Sequence, residues 1–253
     1  MALTDLPQEW KNWVQHNVKR GCSADEIYDT LLKEGFDRSV IERELNIRRV
    51  ALKRFPSVRL ELYTAQTFLE PHECEEIIEI IKSNLRPSTI SSTGEADPDF
   101  RTSRTCDLVR GEPAVLALDQ RICGAMHIDP SLTEPAQGQF YEPAQEFKPH
   151  TDFFKPYELA ANTNERHGQR TWTFMIYLND VESGGETAFV NVGLVIPPKA
   201  GTAVIWNNLL PDGTPNNDTL HHGMPVKAGY KAIITKWFRA PASATSVPGP
   251  SLI

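Results

Sequence analysis

Apolar residues recur at helical spacing through the first 47 positions and at strand spacing through most of the second half of the chain. Trp10, Trp13, Val14 and Val18 share one helical face behind Thr4, Asp5 and Pro7, and Gly21 ends the run. Ser23 and Glu26 read as a capping box for a second helix carrying Ile27, Leu31 and Leu32, with Gly35 as its stop. Asp37 is placed to cap a third, bearing Val40, Ile41 and Leu45. Val58 to Tyr63 alternates as a strand does. Pro71 opens a helix with Cys74, Ile77, Ile78 and Ile81 on one face, and Pro113 to Met126 presents Val115, Leu118 and Ile122. Beyond it Arg170–Leu178, Thr202–Trp206 and Tyr230–Phe238 alternate as strands. The polar stretch 91–99 predicts a loop, and the Ala-, Ser- and Pro-rich tail from Pro241 predicts disorder. Helices first and then many short strands argue α+β, with a sandwich or barrel. The expected organisation is a helical segment over 1–47, a main domain over 48–240 and a tail over 241–253.

With 253 residues, 40% of them hydrophobic, the chain can bury a real core. A net charge of −7 argues against a dedicated nucleic-acid binder. The cysteines at 22, 74, 106 and 123 form no Cys-x-x-Cys pair, so neither a thiolate zinc framework nor a thioredoxin-type pair is present. No apolar run approaches ~18 residues, so no membrane span or signal peptide is expected, and a reducing cytoplasm is the expected address.

Chemistry concentrates in two histidine clusters. In Pro149-His150-Thr151-Asp152 an imidazole and a carboxylate stand two residues apart, on one face if the segment is extended. Alone, such a pair more often makes a surface hydrogen bond. About seventy residues on comes Thr219-Leu220-His221-His222-Gly223. Two histidines and a carboxylate capping one face of an ion form the facial triad of non-haem Fe(II) oxygenases. Lys231 is the deciding element. It lies in an apolar strand at the parity of Ile233, Thr235, Trp237 and Arg239. If Ile233 faces the core, so does Lys231, and a buried ammonium is costly without an anion. A dicarboxylate chelating the iron would supply one. The plainer alternative is a lysine snorkelling from a strand edge.

The run from about Thr102 to Trp237 resembles the 2-oxoglutarate- and Fe(II)-dependent dioxygenases of the prolyl 4-hydroxylase type. The matching blocks, in order, are Arg101-Thr102-Ser103; Tyr141 ahead of His150-Thr151-Asp152; Arg170 and Thr173 leading into Tyr177-Leu178-Asn179; Gly184-Gly185-Glu186-Thr187; Leu220-His221-His222-Gly223 through Val226; and Gly229-Tyr230-Lys231 with Thr235-Lys236-Trp237. The resemblance implies a double-stranded β-helix, or jelly roll, backed by helices. It implies Fe(II) held by His150, Asp152 and His221, with the Leu-His-x-Gly frame favouring His221 over His222. It implies 2-oxoglutarate bound through Lys231, Tyr141 and Thr173, O2 as oxidant, and ascorbate as a supporting reductant. Arg170, Trp237 and Arg239 fall at the substrate end. Arg239 stands where the family usually has histidine, which opens the question of an acidic group on the substrate.

The reaction so implied couples oxidative decarboxylation of 2-oxoglutarate, to succinate and CO2, with hydroxylation of a C–H bond. A peptidyl proline is the leading substrate and a free amino acid the second. A cupin-like metalloenzyme that uses no oxoglutarate is a third reading, and Lys231 argues against it. In a fourth the chain is a binding module. Residues 1–47, with their Gly35-Phe36 turn, resemble ubiquitin-associated-type modules that would dock a protein partner; the favoured expectation is a helical extension of the main domain. The block 184–187 is expected to be a structural turn, and the loops 92–100 and 207–218 to roof the site.

Overall fold

The computed structural model describes residues 5–45, 51–88, 99–109, 111–164 and 167–242. The chain divides into two compact units, Met1–Arg49 and Val50–Ile253. Most of the 91–99 stretch and the tail after 242 lie outside the described residues.

The first unit holds α1 (Gln8–Lys19), α2 (Ala24–Lys33) and α3 (Arg38–Leu45). Ser23 Oγ accepts the Glu26 N–H while the Glu26 carboxylate accepts the Ser23 N–H, a complete capping box. Gly35 takes φ +85° to end α2, and Asp37 accepts the Ser39 N–H at the head of α3. At α1, Pro7 occupies the cap position itself and no side chain caps it. Leu6, Val14, Ile27, Leu31, Val40 and Ile41 belong to a buried cluster of this unit's own residues.

The second unit carries α4 (Pro71–Ser83), α5 (Pro113–Met126) and α6 (Pro156–Asn162). Its strands are β1 (Lys53–Arg54), β2 (Leu62–Ala65), β3 (Arg86–Pro87), β4 (Arg104–Asp107), β5 (Gln137–Tyr141), β6 (Phe147–His150), β7 (His167–Tyr177), β8 (Ser183–Gly184), β9 (Thr187–Phe189), β10 (Leu194–Ile196), β11 (Ala203–Asn207), β12 (His221–Gly223), β13 (Val226–Ala228) and β14 (Lys231–Pro241). They form a major sheet, β1-β2-β11-β7-β14-β5-β4-β3, a minor sheet, β10-β9-β12-β6, and a two-stranded β13-β8 pair. All the recorded pairings are antiparallel.

Strand alternation sends side chains to two cores. Trp172, Phe174 and Ile176 of β7, with Ile205 and Ile234, pack against Ile77 and Ile81 of α4 and Leu118 and Ile122 of α5. Met175 and Tyr177, with Val204, Trp206 and Ile233, face the other way and meet Phe189 of the minor sheet. Gly138 leaves room for Ile81 of α4, whose side chain would have to shift if a Cβ stood there. The 58–63 strand forms only at its end. Ser57 Oγ accepts the N–H groups of Arg59 and Leu60, which makes a turn, Val58 is fully exposed, and pairing begins at Leu62.

Because each unit buries its own cluster, a chain lacking residues 1–47 is expected to remain soluble. It should unfold in one cooperative transition in denaturant. Aggregated protein would mean that the three helices belong to the same folding unit.

Candidate metal centre

The pairing of β12 with β6 builds the centre, setting His221 directly opposite His150. Asp152 follows in the turn just past β6. The three residues present ligand atoms within 4.8 Å of one another. His150 Nε2 stands 3.8 Å from Asp152 Oδ1, and His221 Nε2 stands 4.0 Å from Oδ2. These separations exceed hydrogen bonds and leave room for an ion.

The donor set fits one. His150 Nδ1 lies 2.8 Å from the Lys148 carbonyl, and His221 Nδ1 lies 3.0 Å from that of Thr219. A carbonyl only accepts, so both Nδ1 atoms carry the proton and both Nε2 lone pairs face Asp152. Burial, with His221 next in weight, pushes the His150 pKa down to about 3, so the ring is neutral as a metal ligand must be. Burial opposes the charge on Asp152, but His221, His150, Arg170 and the Thr173 hydroxyl together hold its carboxyl below the usual range. Two imidazoles and one carboxylate suit a divalent iron. Phe147 stacks on His150 with centroids 3.5 Å apart, and the Arg101 guanidinium lies 4.8 Å above Phe147.

The triad opens on a cavity lined by residues of the major and minor sheets. Lys231, Ile233, Thr235 and Trp237 of β14 line it, with Gln139 and Tyr141 of β5. Lys231 is 1% exposed, and its Nζ sits 4.3 Å from the Tyr141 ring centroid. Burial pushes its pKa down to about 7, and Glu186 only partly offsets this. The Tyr141 hydroxyl donates to Gln139 Oε1 at 2.7 Å, and Gln139 Nε2 donates to Thr235 Oγ1.

Three other expected site residues are engaged by protein groups. Thr173 Oγ1 donates to Asp152 Oδ2 at 2.7 Å, so its hydroxyl serves the metal carboxylate. Arg170 forms a two-pronged pair with Glu134 and lies over Trp237 at 4.1 Å. Arg239 donates to Glu134 and to the carbonyls of Gly168 and Asn162, away from the cavity. The register shift here skips Thr171 of β7, so Arg239 stands opposite Arg170 and shares Glu134 with it. His222 pairs with Glu146 at 2.7 Å, and His221 alone of the two joins the triad.

Glu134, Thr187 and Trp206 carry weight that the sequence did not announce. Glu134 lies in a connection thirty-six residues before Arg170. Thr187 ends the Gly-Gly-Glu-Thr block. Gly184 there takes φ +77°, and a Cβ on it would strike the Pro225 carbonyl, so the turn is structural. The same block supplies Thr187 to the cavity wall and Glu186 to the field at Lys231. Trp206 lines the cavity edge-on to His221.

The family model of the 2OG-Fe(II) oxygenase superfamily matches residues 136–239. The prolyl 4-hydroxylase subunit alpha-1 of Homo sapiens is 35% identical over 65% of this chain, which spans about a third, 32%, of that protein. The solved 2OG complex of a viral collagen prolyl hydroxylase, from Paramecium Bursaria Chlorella virus-1, aligns at TM-score 0.55 with 25% identity. That alignment covers 71% of this chain and 96% of the viral one. A probable prolyl 4-hydroxylase of Arabidopsis thaliana, number 10, is 32% identical over 84% of this chain and 78% of its own length. Likeness of that extent settles the family: the chain belongs to the 2OG-Fe(II) oxygenases of the prolyl 4-hydroxylase type.

Proposed function

We propose that the protein hydroxylates a prolyl residue of a peptide or protein within a double-stranded β-helix, using Fe(II), 2-oxoglutarate and O2. The observation that carries this reading is Lys231, a cation 1% exposed in the same cavity as the His150, Asp152 and His221 triad. An ammonium so placed needs an anion, and the free carboxylate of a metal-chelating 2-oxoglutarate supplies one. A cupin-like site without that cosubstrate gives the buried charge no purpose.

Bound there, Fe(II) would supply O2 activation and C–H oxidation coupled to decarboxylation of the cosubstrate. The chain's own residues do the rest. His150, Asp152 and His221 would hold the ion on one side and leave the cavity side open. Lys231 would anchor the cosubstrate with Tyr141 beneath it. Ile233, Met175 and Trp206 keep the walls apolar, which excludes water and strengthens each charge interaction inside.

Trp237 lines the cavity and would border the substrate, with Arg170 packed on its ring. A free amino acid would need a cation for its own carboxylate at this end. Arg170 and Arg239 already share Glu134, which favours a peptide. No helix among the described residues is long and apolar enough to cross a membrane.

Incubation with Fe(II), 2-oxoglutarate and a panel of proline-containing peptides, alongside free proline and other amino acids, separates the readings. The expected product is a peptide heavier by one oxygen atom at proline. Hydroxylation confined to free amino acids would instead establish the small-molecule reading.

A further inference from the structure

Asp152 is held by more than Thr173. Asn208, just past the end of β11, donates from Nδ2 to Thr173 Oγ1 at 2.9 Å, and Thr173 Oγ1 donates to Asp152 Oδ2 at 2.7 Å. Asn208 and Thr173 are 0% exposed and Asp152 is 6% exposed. The direction of this chain is forced. An ionised carboxylate only accepts, so the single Thr173 proton must point at Asp152. Thr173 Oγ1 can then only accept from Asn208, which turns the amide so that its NH2 faces Thr173.

The amide orientation has a cost. Asn208 Oδ1 is buried and has no hydrogen-bond partner among the described residues. An apolar residue of the same shape would avoid that cost. The backbone does not need the amide either. The Asn208 N–H already donates to the Thr171 carbonyl, and its own carbonyl accepts the Asn216 N–H. What the side chain contributes is the bond to Thr173.

We infer that Asn208 is a positioning residue for the metal centre. Acting through Thr173, it fixes one oxygen of Asp152 and leaves Oδ1 to the ion. The inference rests on the metal-binding reading above. Without Asn208, Thr173 can rotate its hydroxyl, Asp152 loses its fixed orientation, and the metal site loosens. Groups that orient a metal ligand in this way commonly contribute ~10–100-fold in metal affinity.

The test is anaerobic Co(II) titration of the purified full chain, read by visible absorption, with unfolding midpoints taken on the metal-free proteins. The variants are Asn208→Leu, Thr173→Val, the double variant and Thr173→Ser. Wild type should bind one Co(II). Asn208→Leu and Thr173→Val should each weaken binding ~10–100-fold and change the Co(II) spectrum. Because Asn208 acts only through Thr173, the double variant should bind no more weakly than Thr173→Val alone. Thr173→Ser, which keeps the hydroxyl, should restore affinity. Asn208→Ala replaces Asn208→Leu if the latter does not fold. Wild-type affinity and spectrum in the Asn208 variant overturn the inference, even if its unfolding midpoint falls. So do additive losses in the double variant. Failure of the wild type to bind Co(II) would overturn the metal reading instead, a separate outcome.

Discussion

Asp152→Ala is expected to abolish iron binding and turnover together while leaving the protein folded. Asp152 is the one carboxylate of the triad, and two imidazoles remain without it. The loss should exceed the ~10–100-fold that removal of an outer partner costs a metal site. The carboxylate is 6% exposed and its pKa lies below the usual range, so its loss should cost the metal-free protein some stability without unfolding it. Calorimetric titration of Fe(II) into wild type and variant, with an unfolding curve for each, checks both halves. Full iron stoichiometry in Asp152→Ala would remove the triad from the account.

Lys231→Ala should weaken 2-oxoglutarate far more than iron. Removing one member of a desolvated charge pair costs ~2–5 kcal/mol, or tens- to thousands-fold in affinity. Lys231→Arg should be intermediate, because its fork can pair with a carboxylate but must fit a space shaped for an ammonium. The pH dependence carries a second signature. In the cosubstrate-free protein burial lowers the Lys231 pKa to about 7, with Glu186 and the neutral Tyr141 as the ionisable groups around it. A carboxylate at Nζ favours the charged form and raises that pKa. Binding above pH 7 therefore takes up a proton, and affinity should fall by up to ~tenfold per pH unit there while staying level below. Lys231→Ala should flatten this profile. Equal 2-oxoglutarate dissociation constants for wild type and Lys231→Ala, each with Fe(II), would show that the lysine does not hold the cosubstrate.

The parts of this site that were legible in the sequence are those governed by local spacing. Parity along β14 placed Lys231 on the face of Ile233, Thr235 and Trp237, and all four line the cavity. Arg239 stands opposite Arg170, and what parity could not show is that Glu134 and two backbone carbonyls take up its guanidinium. The helices α2, α4 and α5 were legible from caps and apolar faces, since both are local. The opposition of His221 and His150 depends on β12 pairing with β6 across seventy residues, which only the assembled sheet fixes. The pairing of Arg170 with Glu134 was not legible, because Glu134 is remote in sequence and carries no motif. The bond from Thr173 to Asp152 was not legible, because a hydroxyl suits any carboxylate and the two residues lie twenty-one apart.

The most direct test of the central claim is the coupling of two products. Purified protein is given Fe(II), 2-oxoglutarate, O2 and a proline-containing peptide, and succinate and hydroxylated peptide are measured in the same sample. One succinate per oxygen atom gained by the peptide, absent in Asp152→Ala, is the predicted result. Peptide oxidation without succinate, or 2-oxoglutarate left intact with Fe(II) bound, would contradict it.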